Sequence, residues 1–212
     1  GVHEATDACL VLGERALPSM EKAFPSASVT GKCALLYALW QMDTPKAVEL
    51  ILVGVSDQSS EVRQTALSYL RHPEQEAGRT AILSCLKDPE TEVRCRATFA
   101  MGSMKDQASL SRLIALTRDK SSKIRSTAAR ALFFRSETSA ASSLLKLLSD
   151  PAAEVRAHAA GALGRIKEKR AVAPLITLVA DSDPKVRKEA IGALGEIGDL
   201  RALPVLIRMA EQ

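Results

Sequence analysis

Apolar residues fall along this chain in stripes of helical spacing, and the stripes recur every 31 residues. Val62-Arg63, Val93-Arg94, Ile124-Arg125, Val155-Arg156 and Val186-Arg187 stand one such step apart, as do Asp57, Asp88, Asp119, Asp150 and Asp181. Ala66, Ala97, Ala128, Ala159 and Ala190 keep the same step, and so do Leu70, Met101, Leu132, Leu163 and Leu194. A register held in several slots with no insertion marks a repeat architecture in which each unit is one supersecondary element. Each unit spells two helices. In one of them Val155, Ala159, Ala162 and Leu163 make a buried face over 151–165, with Asp150 as N-cap and Pro151 in the first turn. Val172, Leu175, Ile176 and Val179 repeat the stripe over 171–180. Gly164 and Gly195 read as helix stops that also allow close packing.

Traced backward, Ala16-Leu17-Pro18 lies six steps before Ala202-Leu203-Pro204, so the first 25 residues form a divergent opening unit. Seven repeats are expected, at about 1–25, 26–56, 57–87, 88–118, 119–149, 150–180 and 181–212, forming one solenoid over 1–212. The last helix, from Ala202, keeps Leu203, Val205, Leu206, Ile207 and Met209. That is enough apolar surface to want a further neighbour, so the expectation is a segment of a longer solenoid, or an end covered by a partner or a second copy.

The pattern D-x4-V-R-x2-A-x3-L-G followed by A-x3-L resembles the HEAT family, and its 31-residue phycobilisome-lyase-like variety in particular. It is clearest over Asp150–Asp199, where Ala162-Leu163-Gly164 and Ala193-Leu194-Gly195 repeat, and weakest in 1–56, where Gly31-Lys32 replaces Val-Arg. The resemblance implies an all-α fold, a right-handed α-α superhelix whose second helices line the concave side.

Composition agrees. Aromatics are only 3% of the chain while Ala and Leu abound, which suits helices packed at close range. A net charge of +4 is far short of an obligate nucleic-acid binder. No stretch is long and apolar enough to span a bilayer, and residues 1–25 lack the order of a signal peptide, so a soluble, cytoplasmic protein is expected. Cys9, Cys33, Cys85 and Cys95 show no metal-ligand spacing and read as free thiols.

The conspicuous residues divide into two groups. Arg63, Arg94, Arg125, Arg156 and Arg187, each six residues after Asp57, Asp88, Asp119, Asp150 and Asp181, read as a structural ladder: the carboxylate caps a helix and the guanidinium bridges adjacent loops. The outward slots of the second helices collect Lys22, Lys87, Arg112, Arg118, Lys146 and Arg208 against Glu211 alone. Of these, Lys87, Arg112, Arg118, Lys146 and Arg208 are the candidate partner-binding residues. Tyr37, Trp40, Tyr69, Phe99, Phe133 and Phe134 depart from the repeat and read as infill at irregular junctions, with interface anchors as the alternative.

His3, His72 and His158 occupy unrelated slots, and no nucleophile elbow or phosphate loop is present. The expectation is therefore a protein without catalytic residues, metal or cofactor, acting as a protein-binding scaffold with an acidic partner surface. Nucleic-acid binding through the basic face is the alternative. A bilin lyase-like role rests on the family resemblance alone.

Overall fold

The computed structural model describes residues 2–70 and 75–211, and for residues 2–6 the backbone only. Every regular element among the described residues is helical, and no strand occurs. The chain divides into two compact units, Gly1–Ala100 and Met101–Gln212.

The first unit holds α1 (Val2–Leu12), α2 (Leu17–Ala23), α3 (Val29–Met42), α4 (Pro45–Gly54), α5 (Ser60–Tyr69), α6 (Glu76–Cys85) and nearly all of α7 (Thr91–Met101). Within it α3 packs against α1, α4 and α5, and α4 against α5 and α6. Local chemistry sets the starts of these helices. The Ser28 hydroxyl accepts from the Gly31 amide to open α3, and Thr44 accepts from the Ala47 amide to open α4, with Pro45 in its first turn.

The second unit holds α8 (Gln107–Leu116), α9 (Ser122–Arg135), α10 (Ala141–Leu147), α11 (Ala153–Arg165), α12 (Val172–Leu178), α13 (Pro184–Ile197) and α14 (Leu203–Ala210). The first helices of successive repeats lie side by side, α9 on α11 and α11 on α13. The second helices α8, α10 and α12 pack on α9, α11 and α13 respectively.

The repeated slots form the core. Val62, Val93, Ile124, Val155 and Val186 are buried, as are the five register alanines, and Leu70, Met101, Leu132, Leu163 and Leu194 lie beneath them. Alanine in the middle slot lets neighbouring first helices approach closely. At Gly164 the approach is closer still, since a Cβ built there would meet Ala193 Cα at 2.6 Å.

Three expectations about helix ends need correction. Asp150 does not cap α11, which begins at Ala153 behind Ala152; the Asp150 carboxylate instead accepts from the Ala152 amide at 2.9 Å and closes the preceding turn. Gly164 is not a stop, because α11 runs on to Arg165 and the left-handed residue is Lys167 (φ 52°). Nor is Gly195, since α13 continues to Ile197 and ends on Gly198 at φ 67°. An aspartate two residues before an amide forms an Asx turn as readily as a cap, and a glycine facing a neighbouring helix is selected by contact rather than by backbone angle.

The two glycines should therefore respond oppositely to the same change. Gly164→Ala should lower stability by about 1–3 kcal/mol through overpacking against Ala193. Gly195→Ala, whose Cβ would meet nothing within 4 Å, should be neutral or stabilise by up to about 1 kcal/mol. Urea denaturation of both variants reads the difference.

Candidate functional site

The Arg–Asp ladder runs between repeats. Arg63 Nε and Nη2 donate to the two carboxylate oxygens of Asp88 at 2.8 and 2.9 Å. Arg125 grips Asp150 in the same way at 2.7 and 2.9 Å, and Arg156 grips Asp181 at 2.8 and 2.7 Å. In each pair the aspartate lies 25 residues ahead, in the next repeat. The aspartate six residues behind supplies only its carbonyl: Arg63 Nη1 donates to Asp57 O and Gln58 O, Arg125 Nη1 to Asp119 O and Lys120 O, and Arg156 Nη1 to Asp150 O and Pro151 O. Three-point fixation of a planar guanidinium explains arginine in this slot, since an ammonium cannot reproduce the fork.

Each ladder aspartate closes its own turn as well, accepting from the amide two residues on: Ser59, Glu90, Ser121, Ala152 and Asp183. Burial pushes the Asp88 and Asp150 carboxyls up, yet the arginine fork and the turn amide outweigh it and hold both below the usual carboxylate range. For Asp181 the Arg156 fork is the largest influence, in the same direction.

Sequence reasoning missed one member of this system and misjudged the pairing of another. Lys32, in the slot where Gly31-Lys32 stands for Val-Arg, donates to Asp57 at 2.7 Å, a one-point version of the same inter-repeat contact. Arg187 donates through Nη1 to Asp181 O and Ser182 O at 2.8 and 2.9 Å, and among the described residues no carboxylate takes its Nε and Nη2. The 25-residue spacing from cation to next aspartate was the available signal for Lys32. Arg94 departs from the rule within the first unit, where its Nη2 donates to Thr91 Oγ1 at 2.9 Å.

The candidate partner-binding cations are all exposed: Lys87 at the end of α6 in the first unit, and Arg112, Arg118, Lys146 and Arg208 on or beside α8, α10 and α14 in the second. Their slots differ. Lys146 and Arg208 share one with Lys22, Val53, Ser84, Ala115 and Thr177, every one of them exposed. Arg112 occupies a slot filled elsewhere by the buried Leu50 and Ser143, which places it at the rim of the packed face.

The remaining conspicuous residues make local contacts. Tyr37, Trp40 and Tyr69 form one aromatic cluster in the first unit, with Trp40 stacked on Tyr69 at 5.4 Å between centroids. In the second unit Phe133 meets Phe134 edge to face, and the Arg165 guanidinium lies over Phe133. His158 Nδ1 is 2.9 Å from Ser126 Oγ, and burial holds its pKa below the ordinary imidazole value. His72 lies outside the described residues, as does the side chain of His3. No disulfide joins Cys9, Cys33, Cys85 or Cys95. Among the described residues no helix is long and apolar enough to cross a membrane.

An open groove of about 640 Å³ lies at the last helices of the second unit, lined by Ile176, Val179, Ala180, Arg187, Arg201, Pro204, Val205, Arg208 and Met209. Arg201 is already engaged, its fork on Asp199.

Paired helices in fixed register, locked from one repeat to the next, define an α-solenoid repeat protein. The HEAT repeat family matches residues 79–152 and 141–212, more than half of the sequence, and the chain belongs to that family. No curated protein matches in sequence. Among solved structures, YibA of Escherichia coli superposes with a TM-score of 0.70 at 24% identity, over 97% of this chain and 79% of its own. The CpcE–CpcF complex of phycocyanin lyase from Nostoc sp. PCC7120 gives 0.61 at 20% identity over 71% of this chain; the match spans 64% of that chain, less than two thirds of its length. A designed armadillo repeat protein in complex with the peptide (KR)4 gives 0.63 at 20% identity, over 85% of this chain and 99% of the designed one. These likenesses are of fold, and helical repeats of this fold are commonly protein-binding scaffolds.

Removing the partner of the most buried fork carboxylate, Asp150, tests the ladder. Arg125→Gln should lower stability by about 3 kcal/mol, because Asp150 is left buried and uncompensated. The Asp57, Asp88, Asp150 and Asp181 carboxyls titrate lower in the folded than in the unfolded state, so their contribution is complete above the ordinary aspartate pKa of about 4 and fades as pH falls through the folded values. Thermal melts from pH 7 to pH 2 should show that loss in the parent protein and a smaller one in the Arg125→Gln variant.

Proposed function

We propose that this chain is a non-catalytic scaffold that binds an acidic surface of a partner protein through the second-helix face, with Lys87, Arg112, Arg118, Lys146 and Arg208 as the contacting cations. One observation carries the reading. Arg63, Arg125 and Arg156 are each held by an aspartate of the next repeat, whereas these five cations stand exposed on or beside second helices. Charge arranged this way, without structural employment, serves encounter and orientation of an oppositely charged partner. The seven repeats act as one solenoid in this reading, since the 31-residue step runs unbroken from Asp57 to Asp181.

The designed armadillo neighbour was solved with a basic peptide. The exposed cations here call for the opposite charge. A nucleic-acid backbone would meet the same cations, but the net charge of +4 over 212 residues favours a protein with an acidic patch.

Affinity capture with the intact chain and with an Arg112→Glu/Arg118→Glu variant of equal helicity tests the proposal. The expected result is a protein retained by the first and lost with the second. Retention of nucleic acid alone, with about a thousandfold or greater loss of affinity between 50 and 200 mM salt, would replace it with the basic-groove alternative.

A further inference from the structure

We infer that a recess on the turn edge of the second unit, where α9, α11 and α13 end, binds a mixed-charge segment of a partner protein. Arg165 and Lys167 take a carboxylate side chain there, and Glu196 takes an adjacent ammonium or guanidinium group. The recess is open, measures about 400 Å³ and is lined by Ser136, Arg165, Lys167 and Glu196. Its walls come from three consecutive repeats, and α11, which carries Arg165, has a first helix packed on each side.

Arg165 is fixed before any ligand arrives. Its Nε donates to Ser136 Oγ at 2.8 Å, and its guanidinium carbon sits 5.1 Å from the centre of the Phe133 ring. Ser136 is held in turn, since its hydroxyl donates to Phe133 O at 3.2 Å. A hydrogen bond on one edge and a ring beneath set the direction of the fork, and among the described residues nothing takes Nη1 or Nη2. Arg125 and Arg156 show in the same unit what a guanidinium so restrained accepts: the paired oxygens of a carboxylate at 2.7–2.9 Å. Preorganisation of this kind reduces the entropy cost of binding.

Two further observations point to the same recess. Lys167 takes φ 52°, a left-handed position that Gly198 fills at φ 67° one repeat later. A side chain strains the backbone there where glycine does not, and this one stands exposed beside Arg165 with no partner among the described residues. Glu196 supplies the opposite charge. Its Oε2 lies 3.1 Å from the place a Cβ on Gly164 would occupy, so the glycine leaves the carboxylate room beside the end of α11. Among the described residues no ion pair joins Glu196 to Arg165 or Lys167. Walls of both signs in one recess suit a ligand that carries both, whereas a phosphate group would meet Glu196 as a like charge. The site uses none of the five second-helix cations, so it goes beyond the scaffold reading and is tested apart from it.

The probes are the end-blocked dipeptides Asp-Lys and Lys-Asp, with Asn-Lys and Asp-Gln as single-charge controls. Titration into ¹⁵N-labelled protein is followed at the Arg165 Nε–Hε and Lys167 amide signals. A mixed-charge dipeptide should shift both saturably. Asn-Lys should bind about tenfold more weakly, and so should the mixed dipeptide with Arg165→Lys, which keeps the charge but loses the fork. Asp-Gln should bind the parent about threefold more weakly than Asp-Lys, and Glu196→Gln should abolish that preference, with circular dichroism confirming the fold of each variant. The Arg112→Glu/Arg118→Glu protein should bind the dipeptides as the parent does, so failure of the second-helix face and failure of this site are told apart. No saturable shift, an Asp-Lys preference that survives Glu196→Gln, an unaffected Arg165→Lys variant, or inorganic phosphate that shifts the signals at lower concentration than the mixed dipeptides would each overturn the assignment.

Discussion

The inter-repeat arginine fork is the contact through which one repeat fixes the next. Asp88, Asp150 and Asp181 each work twice: the carboxylate receives the arginine of the preceding repeat, and the carbonyl receives the arginine of its own. Two consecutive turns are thereby pinned to one another, and the 31-residue register is kept by hydrogen bonds as well as by hydrophobic fit. Because these groups are mostly buried, a fork that is complete stabilises the junction and a fork that is half present weakens it.

Packing depends on that spacing being held. With alanine in the central slot of α9, α11 and α13, the helices approach until backbone and small side chains meet, and at Gly164 there is no room for a methyl group. In the first unit, where no arginine precedes Asp57 in register, a lysine takes the place of the fork. Lys32 substitutes a single strong contact, and the Tyr37, Trp40 and Tyr69 rings fill volume in the same unit. The exposed cations Lys87, Arg112, Arg118, Lys146 and Arg208 take no part in the Arg63, Arg125 and Arg156 forks of this framework.

The repeat, its two helices and the buried slots were legible from the 31-residue step alone, because a register of identical residue types leaves little choice about which face is inside. Helix ends were not. Asp150 and Gly195 carry residue types that serve equally in Asx turns and helix interiors, and only the surrounding contacts decide between those roles. The ladder was recognised by its members but paired with the nearer aspartate. Separations of six and 25 residues are equally constant in the sequence, and choosing between them requires knowing that the near carboxylate is already taken by the repeat before it. Arg112 looked like its neighbours in the sequence, although its slot is occupied by buried Leu50 and Ser143 in other repeats.

A double-mutant cycle between Arg125 and Asp150, run beside one between Arg125 and Asp119, addresses the inter-repeat fork most directly. Both pairs sit at fixed spacing, but only the first joins two side chains through a bidentate contact. A coupling energy of about 2 kcal/mol or more for Arg125 with Asp150, and below about 1 kcal/mol for Arg125 with Asp119, is the expected result. Stronger coupling to Asp119, or none to either, would contradict the fork as the contact that fixes one repeat on the next.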